Sequence, residues 1–161
     1  MRYLFINLFN LPVFYLFKLI YLLIFSGSSL FSATIISIVT GTTNLRFSTV
    51  LTNLGNDYNS SSGVFTCRIA GQYWFSASIA KYSSDNVGGT YCYIMINGSN
   101  KMMMYHYERD PLHAYFSMTA SGGFHLNRGD RVQVGGCYNP AFLVSGETES
   151  YFSGVLIKPD V

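Results

Sequence analysis

The sequence predicts an all-β fold, a sandwich or jelly roll of about ten short strands, and three observations carry that prediction. Apolar or alternating runs of strand length recur between turn residues from Phe31 to Ile157. Charged residues make up only 11% while aromatics reach 17%, with 15 glycines, a balance that suits strands and turns over long amphipathic helices. Beyond the hydrophobic N-terminus, nothing has helical spacing. With 161 residues the chain holds one ordinary domain, and a leader set aside leaves too little for two.

Phe31 to Val39 is the first run. Gly71 to Tyr82 places Tyr73, Phe75, Ala77 and Ile79 on one face and Gln72, Trp74, Ser76 and Ser78 on the other, the period of a half-buried strand. Gly88-Gly89 turns the chain into Thr90 to Ile96, and Asn97-Gly98 is a hairpin turn leading to Met102 to Tyr107. Ala114 to Ala120, Arg131 to Val134 and Tyr151 to Ile157 complete the strands. Loops are expected at Asp110-Pro111, Gly122-Gly123, Asn127 to Gly129 and Asn139-Pro140.

The N-terminal stretch from Tyr3 to Phe25 is apolar but interrupted by Asn7, Asn10, Pro12 and Lys18. Its one clean run, Leu19 to Phe25, is too short to span a bilayer and fits the h-region of a signal peptide. Small residues from Ser26 to Ser29 supply a cleavage site, so the expected organisation is a signal peptide over 1–28 and a globular domain over 29–161. An uncleaved anchor with Lys18 snorkelling is the alternative, and a natural product lacking the region before Lys18 is the third. No Gly-X-Y tract separates the leader from Phe31, so no collagen stalk is expected.

Three cysteines and two Asn-x-Ser sequons, at Asn59 and Asn97, fit an oxidising, glycosylating compartment. Cys67, Cys92 and Cys137 lack metal-ligand spacing, and one disulfide plus one odd thiol is the simplest reading. Arg2 and Lys18 lie in the leader, which leaves eight cationic against eight acidic side chains. Those cations are scattered singly, whereas a nucleic-acid partner requires a concentrated basic face, so that partner is excluded.

Phe47, Asn53, Tyr58, Phe65, Gly71, Tyr73 and Phe75 fall at spacings that resemble the signature of the C1q globular-head family. Gly63 to Ile79, LNRGDRVQV from Leu126 and SYFSGVLIKPD from Ser150 resemble three of its landmarks in order, from about Phe31 to Asp160. Ala77 departs from the pattern, which usually has an aromatic there. Phe65, Tyr73, Phe75 and Phe152 read as core, and Gly71 and Gly154 as positions of close backbone approach. The resemblance implies a ten-stranded jelly roll of the C1q and tumour necrosis factor type, a homotrimer, and a Cys92 to Cys137 disulfide with Cys67 unpaired.

Arg128-Gly129-Asp130 spells an integrin-binding tripeptide, but the resemblance places a turn there. Ser78 with Lys81, and Ser84-Asp85-Asn86, mimic penicillin-binding elements without the helical spacing or the third element that such chemistry needs. Glu108 with Asp110, and Glu147 with Glu149, are loop acids that could contribute to a calcium site, and calcium is the only cofactor the sequence suggests. Met102, Met103 and Met104 with Tyr105 and Tyr107 suit a strand buried on both faces and a contact between protomers. His106, Tyr107, Arg109, Asp110 and His113 form the candidate ligand loop.

No paired carboxylates, activated nucleophile or metal cluster emerges, so no enzyme is expected. The expected function is that of a secreted homotrimer binding glycans, microbial surfaces or an extracellular protein, as C1q-domain proteins do in innate immunity. The alternative is a ligand of the tumour necrosis factor or synaptic-organiser type for a cell-surface receptor, tethered to the membrane or shed.

Overall fold

The computed structural model describes residues 27–34, 44–82, 88–108, 115–138 and 150–160. Residues 1–26, most of the expected leader, lie outside them. Among the described residues there are ten strands: β1 (Leu30–Thr34), β2 (Thr49–Leu54), β3 (Tyr58–Asn59), β4 (Val64–Thr66) and β5 (Gly71–Tyr82), then β6 (Gly88–Ile96), β7 (Ser99–Glu108), β8 (Tyr115–Leu126), β9 (Arg131–Tyr138) and β10 (Tyr151–Pro159). No helix there is long and apolar enough to cross a membrane.

The strands form two antiparallel sheets of five, ordered β2-β1-β10-β5-β8 and β3-β4-β9-β6-β7. This is a jelly-roll sandwich. Strand alternation sends Phe31 and Ala33 of β1, Tyr73 to Ile79 at every second place of β5, and Phe152 of β10 into the gap between sheets. From the second sheet, Tyr58, Phe65, Cys92, Ile94, Met104, Val132 and Val134 meet them.

Phe31 lies at the centre of the aromatic core, stacked on Tyr58 with ring centroids 4.7 Å apart and edge-on to Phe152 at 4.9 Å. Phe65 bridges to Tyr73 and Phe75. The Tyr58 hydroxyl donates to the Phe47 carbonyl, and burial pushes that phenol up to about 12. Asn53 fixes the same segment, its carboxamide bonding both the amide and the carbonyl of Tyr58. The spaced signature Phe47, Asn53, Tyr58, Phe65, Tyr73 and Phe75 is therefore one packed unit.

Three expectations are corrected. Gly122-Gly123 is not a loop, because β8 runs through it from Tyr115 to Leu126. The glycines serve packing: a Cβ on Gly122 would stand 2.5 Å from Met102 Cε, and Gly123 lies beneath the Trp74 ring. Strand β9 continues past Val134 to Tyr138 through Gly135 and a left-handed Gly136. Nor is Gly88-Gly89 a turn, since β6 begins at Gly88 and both glycines pair with β7; on β7, Met104 is in the core while Met103, Tyr105 and Tyr107 are half-exposed in the single chain. Of the expected first strand, residues 35–39 lie outside the described residues.

Cys92 and Cys137 are bonded, joining neighbouring strands β6 and β9 on the core side. A crosslink closing a loop of 45 residues' separation contributes about 2–4 kcal/mol by restricting the unfolded chain. Cys67 is free and buried, and burial pushes its thiol up, away from the reactive thiolate. Arg68 pairs with the buried Asp57 at 3.0 Å and donates to the Ser28 carbonyl, tying the segment just before β1 to β4's end.

Gly154 of β10 tests the core most directly, because a Cβ there would stand 2.6 Å from Phe31 Cε1 and collide with Phe75 as well. Gly154→Ala is expected to cost about 1–3 kcal/mol of stability by overpacking. Denaturant melts measure it, and a wild-type midpoint would contradict this account of the core.

Candidate functional site

Two outward faces stand out, one on each sheet. On the second sheet the register sets Tyr138 opposite Tyr91, and Tyr91 opposite Tyr105, a row of three tyrosines across β9, β6 and β7. At roughly 4.8 Å between strands the row is about 10 Å wide. Tyr91 stacks on Tyr138 at 5.3 Å and meets Tyr93 edge-on at 5.7 Å. Tyr93 and Met103 form the next row, and Tyr107 lies opposite Gly89.

Small residues make room for these rings. A Cβ on Gly89 would press on the Tyr105 ring at 3.1 Å, and one on Gly136 would touch Tyr93. The face offers flat apolar rings with hydroxyl tips, the composition of a surface that accepts a partially apolar ligand. It carries no charge in its two central rows.

The first sheet's outward face is different. Thr52, Ser32, Ser153, Ser76 and Ser121 stand opposite one another across all five strands. A second row runs Thr49, Thr34, Tyr151, Ser78 and Thr119. Thr119 donates to the Ser78 hydroxyl at 3.1 Å, so Ser78 belongs to this ladder and not to a nucleophilic site. Below them Leu54, Leu30, Val155, Trp74 and Gly123 make an apolar row. None of the three rows contains a charged residue.

The expected ligand residues divide. His106 and Tyr107 lie on strand β7 rather than on a loop, and alternation sends them to opposite sides. Tyr107 joins the tyrosine face, whereas His106 stacks on Phe116 of β8 at 4.0 Å. Glu108 is the last residue of β7, while Arg109, Asp110, His113, Glu147 and Glu149 lie outside the described residues. Among the described residues, no group of three or more His, Cys, Asp or Glu could hold a metal ion.

Asp130 of the Arg-Gly-Asp tripeptide is engaged at both oxygens. One accepts from Asn97 Nδ2 at 2.8 Å and the other from the Asn127 amide at 2.8 Å. Asn97 also accepts from the Arg131 amide at 2.9 Å, so the Asn97-Gly98 hairpin and the 127–130 turn brace each other. These bonds, that from Asn97 foremost, hold the Asp130 carboxyl below the usual carboxylate range. The tripeptide is a structural turn here.

Sequence reasoning missed Tyr91, Tyr93 and Tyr138 as surface residues. The alternation of Thr90 to Ile96 contains Tyr91 and Tyr93, but their alignment with Tyr138 requires the β6–β9 register, which shifts between Tyr91 and Tyr93. No local signal reports such a shift.

The two sheets and their strand order define a jelly-roll domain of the C1q and tumour necrosis factor class. The C1q domain model matches residues 30–157, and the chain belongs to that family. A complement C1q subcomponent of Homo sapiens is 29% identical over 118 residues, 73% of this chain and 44% of that protein. A complement C1q subcomponent of Mus musculus is 30% identical over 127 residues, 72% of this chain and 44% of that protein. Human complement C1q tumor necrosis factor-related protein 3 is 39% identical over 62 residues, 38% of this chain and 24% of that protein. The chain thus spans less than half the length of these curated relatives.

Among solved structures, the globular domain of zebrafish complement 1qA matches with a TM-score of 0.63 at 16% identity, covering 83% of this chain and 99% of that one. Murine APRIL matches with a TM-score of 0.64 at 16% identity, covering 81% and 99%. Both establish the fold.

The Asn97–Asp130 brace carries a pH signature. A carboxyl depressed in the folded state stabilises above its unfolded value near 4 and loses that contribution as pH falls through the lower folded value. Asp130→Ala is therefore expected to melt below wild type at pH 7, the gap closing as pH is lowered from about 5 toward 2. A gap that stays constant across that range would remove the carboxylate from the explanation.

Proposed function

We propose that this chain is an exported, non-catalytic homotrimeric recognition protein that binds glycans, microbial surfaces or an extracellular protein. The tyrosine face of β9, β6 and β7 is its ligand surface. Membership of the C1q domain family supports the recognition role, and the observation that carries the site is the row Tyr138, Tyr91 and Tyr105. Tyrosines present large rigid contact area together with a hydrogen-bonding tip, which suits both sugar rings and protein surfaces.

The contact between protomers is assigned to the first sheet. Its hydroxyl ladder and the Trp74 row let a neighbour approach without burying a charge, and small side chains permit close packing. This moves the contact away from Met103, Tyr105 and Tyr107. Three equivalent tyrosine faces on one trimer would turn weak single-site binding into avidity. The apolar leader, the disulfide and the sequons support export.

A second reading, a receptor ligand tethered to or shed from a membrane, draws on the fold likeness to murine APRIL and on the match to complement C1q tumor necrosis factor-related protein 3. Binding to a glycan array and to receptor-bearing cells separates the two. Calcium dependence is tested in the same assay by adding chelator.

Tyr91→Ala and Tyr105→Ala should each weaken binding to the selected surface by about tenfold or more, with unchanged sedimentation. Trp74→Glu should instead dissociate the trimer in sedimentation, since it buries a charge where protomers meet. Tyrosine variants that bind like wild type, or a monomeric wild-type protein, would overturn this assignment.

A further inference from the structure

We propose that Asn59 carries an N-linked glycan in the exported protein and that Asn97, the other sequon, does not. The proposal rests on export but not on the tyrosine face as ligand surface. Two Asn-x-Ser triplets are equivalent as sequence, Asn59-Ser60-Ser61 and Asn97-Gly98-Ser99. The fold makes them unlike.

At Asn59 the carboxamide oxygen accepts from the Ser61 amide at 2.9 Å and from the Ser62 amide at 3.2 Å. These bonds, with that from the Gly63 amide to the Asn59 carbonyl at 2.8 Å, fold the 59–63 segment into a tight turn. Only the oxygen is used. The Asn59 Nδ2 takes no part in the turn, and both Asn59 and Ser61 are exposed. Asn59 ends β3, an edge strand whose one neighbour is β4, and alternation with the buried Tyr58 turns its side chain away from the core.

Asn97 uses both ends of its carboxamide. Its Nδ2 donates to Asp130 at 2.8 Å, its Oδ1 accepts from the Arg131 amide at 2.9 Å, and its own amide donates to the Arg131 carbonyl at 2.9 Å. The residue stands in the left-handed region at φ 51° in a two-residue hairpin turn. A sugar on that nitrogen would wedge between two turns that brace each other.

In the transfer, Asn59 Nδ2 forms a bond to the anomeric carbon of a lipid-diphosphate-linked oligosaccharide. The carbon–oxygen bond to the lipid diphosphate breaks, that diphosphate leaves with the electron pair, and one amide proton goes to a base of the transferase. The turn oxygen is untouched, so the Ser61 and Ser62 bonds survive. A hydrated chain at the end of β3 would also shield an open sheet edge from pairing with another chain.

The test expresses the full chain in a eukaryotic secretory cell, once with its own N-terminus and once behind a heterologous signal peptide. Glycopeptide mass spectrometry then reads each sequon. The expected result is a glycan at Asn59, lost in Ser61→Ala, which keeps the Asn59 carboxamide, and unaffected by Ser99→Ala. Loss of the native-leader protein from the medium, with Asn59 glycosylated in the second arm, would overturn export and with it the natural glycan, while the contrast between the two sequons would stand. A glycan at Asn97 in folded secreted protein, or a bare Asn59 behind the heterologous signal, overturns it.

Discussion

The stack of Phe31 on Tyr58 holds the two sheets together at the end of the sandwich where both sheets have their shortest strands. Phe31 comes from β1, flanked by β2 and β10, and Tyr58 from β3, which pairs for only two residues with β4. Strand hydrogen bonds alone leave β3 marginal, because an edge strand of that length has little to hold it. Ring contact supplies the rest: Tyr58 lies flat against Phe31 and edge-on to Phe152. The hydroxyl bond to Phe47 and the Asn53 bracket then keep the phenol from being buried without a partner.

That arrangement depends on missing side-chain atoms as much as on present ones. Gly154 faces the cluster from β10, where any Cβ would occupy space that Phe31 and Phe75 already fill. Gly71 similarly starts β5 against the backbone of Lys158 and Pro159. Packing at crystal-like density explains why large rings and bare backbone occur in register on neighbouring strands. Gly122 beneath Met102 and Gly123 beneath Trp74 repeat the device on β8.

The same device explains where sequence reading succeeded and where it stopped. Alternation alone sorts Tyr73, Phe75, Ala77 and Ile79 to the core, because the side-chain period of a strand is independent of its neighbours. A Gly-Gly pair has no side chain to show a period, so Gly122-Gly123 resembles a turn until the cross-strand partners are known. Adjacency in sequence makes His106 and Tyr107 resemble one site, but alternation along β7 places them on opposite sides. Register is a property of pairs of strands, and the bulge between Tyr91 and Tyr93 changes which residue of β9 stands beside which tyrosine.

Once the core is accounted for, the residual chemistry is divided unequally between the two outward faces. The first sheet exposes hydroxyls and a strip of aliphatics beside Trp74; the second exposes a tyrosine row. Part of the hydroxyl ladder is satisfied within the sheet, Thr119 on Ser78 and Ser153 on the Ser76 carbonyl, whereas the buried Thr49 Oγ1 has no partner. In the tyrosine row Tyr105 and Tyr138 are half-exposed, so apolar ring area remains at the surface. The two faces thus differ in kind, and the trimer contact and ligand surface proposed above would use that difference, one face without charge to bury and one with ring area to offer.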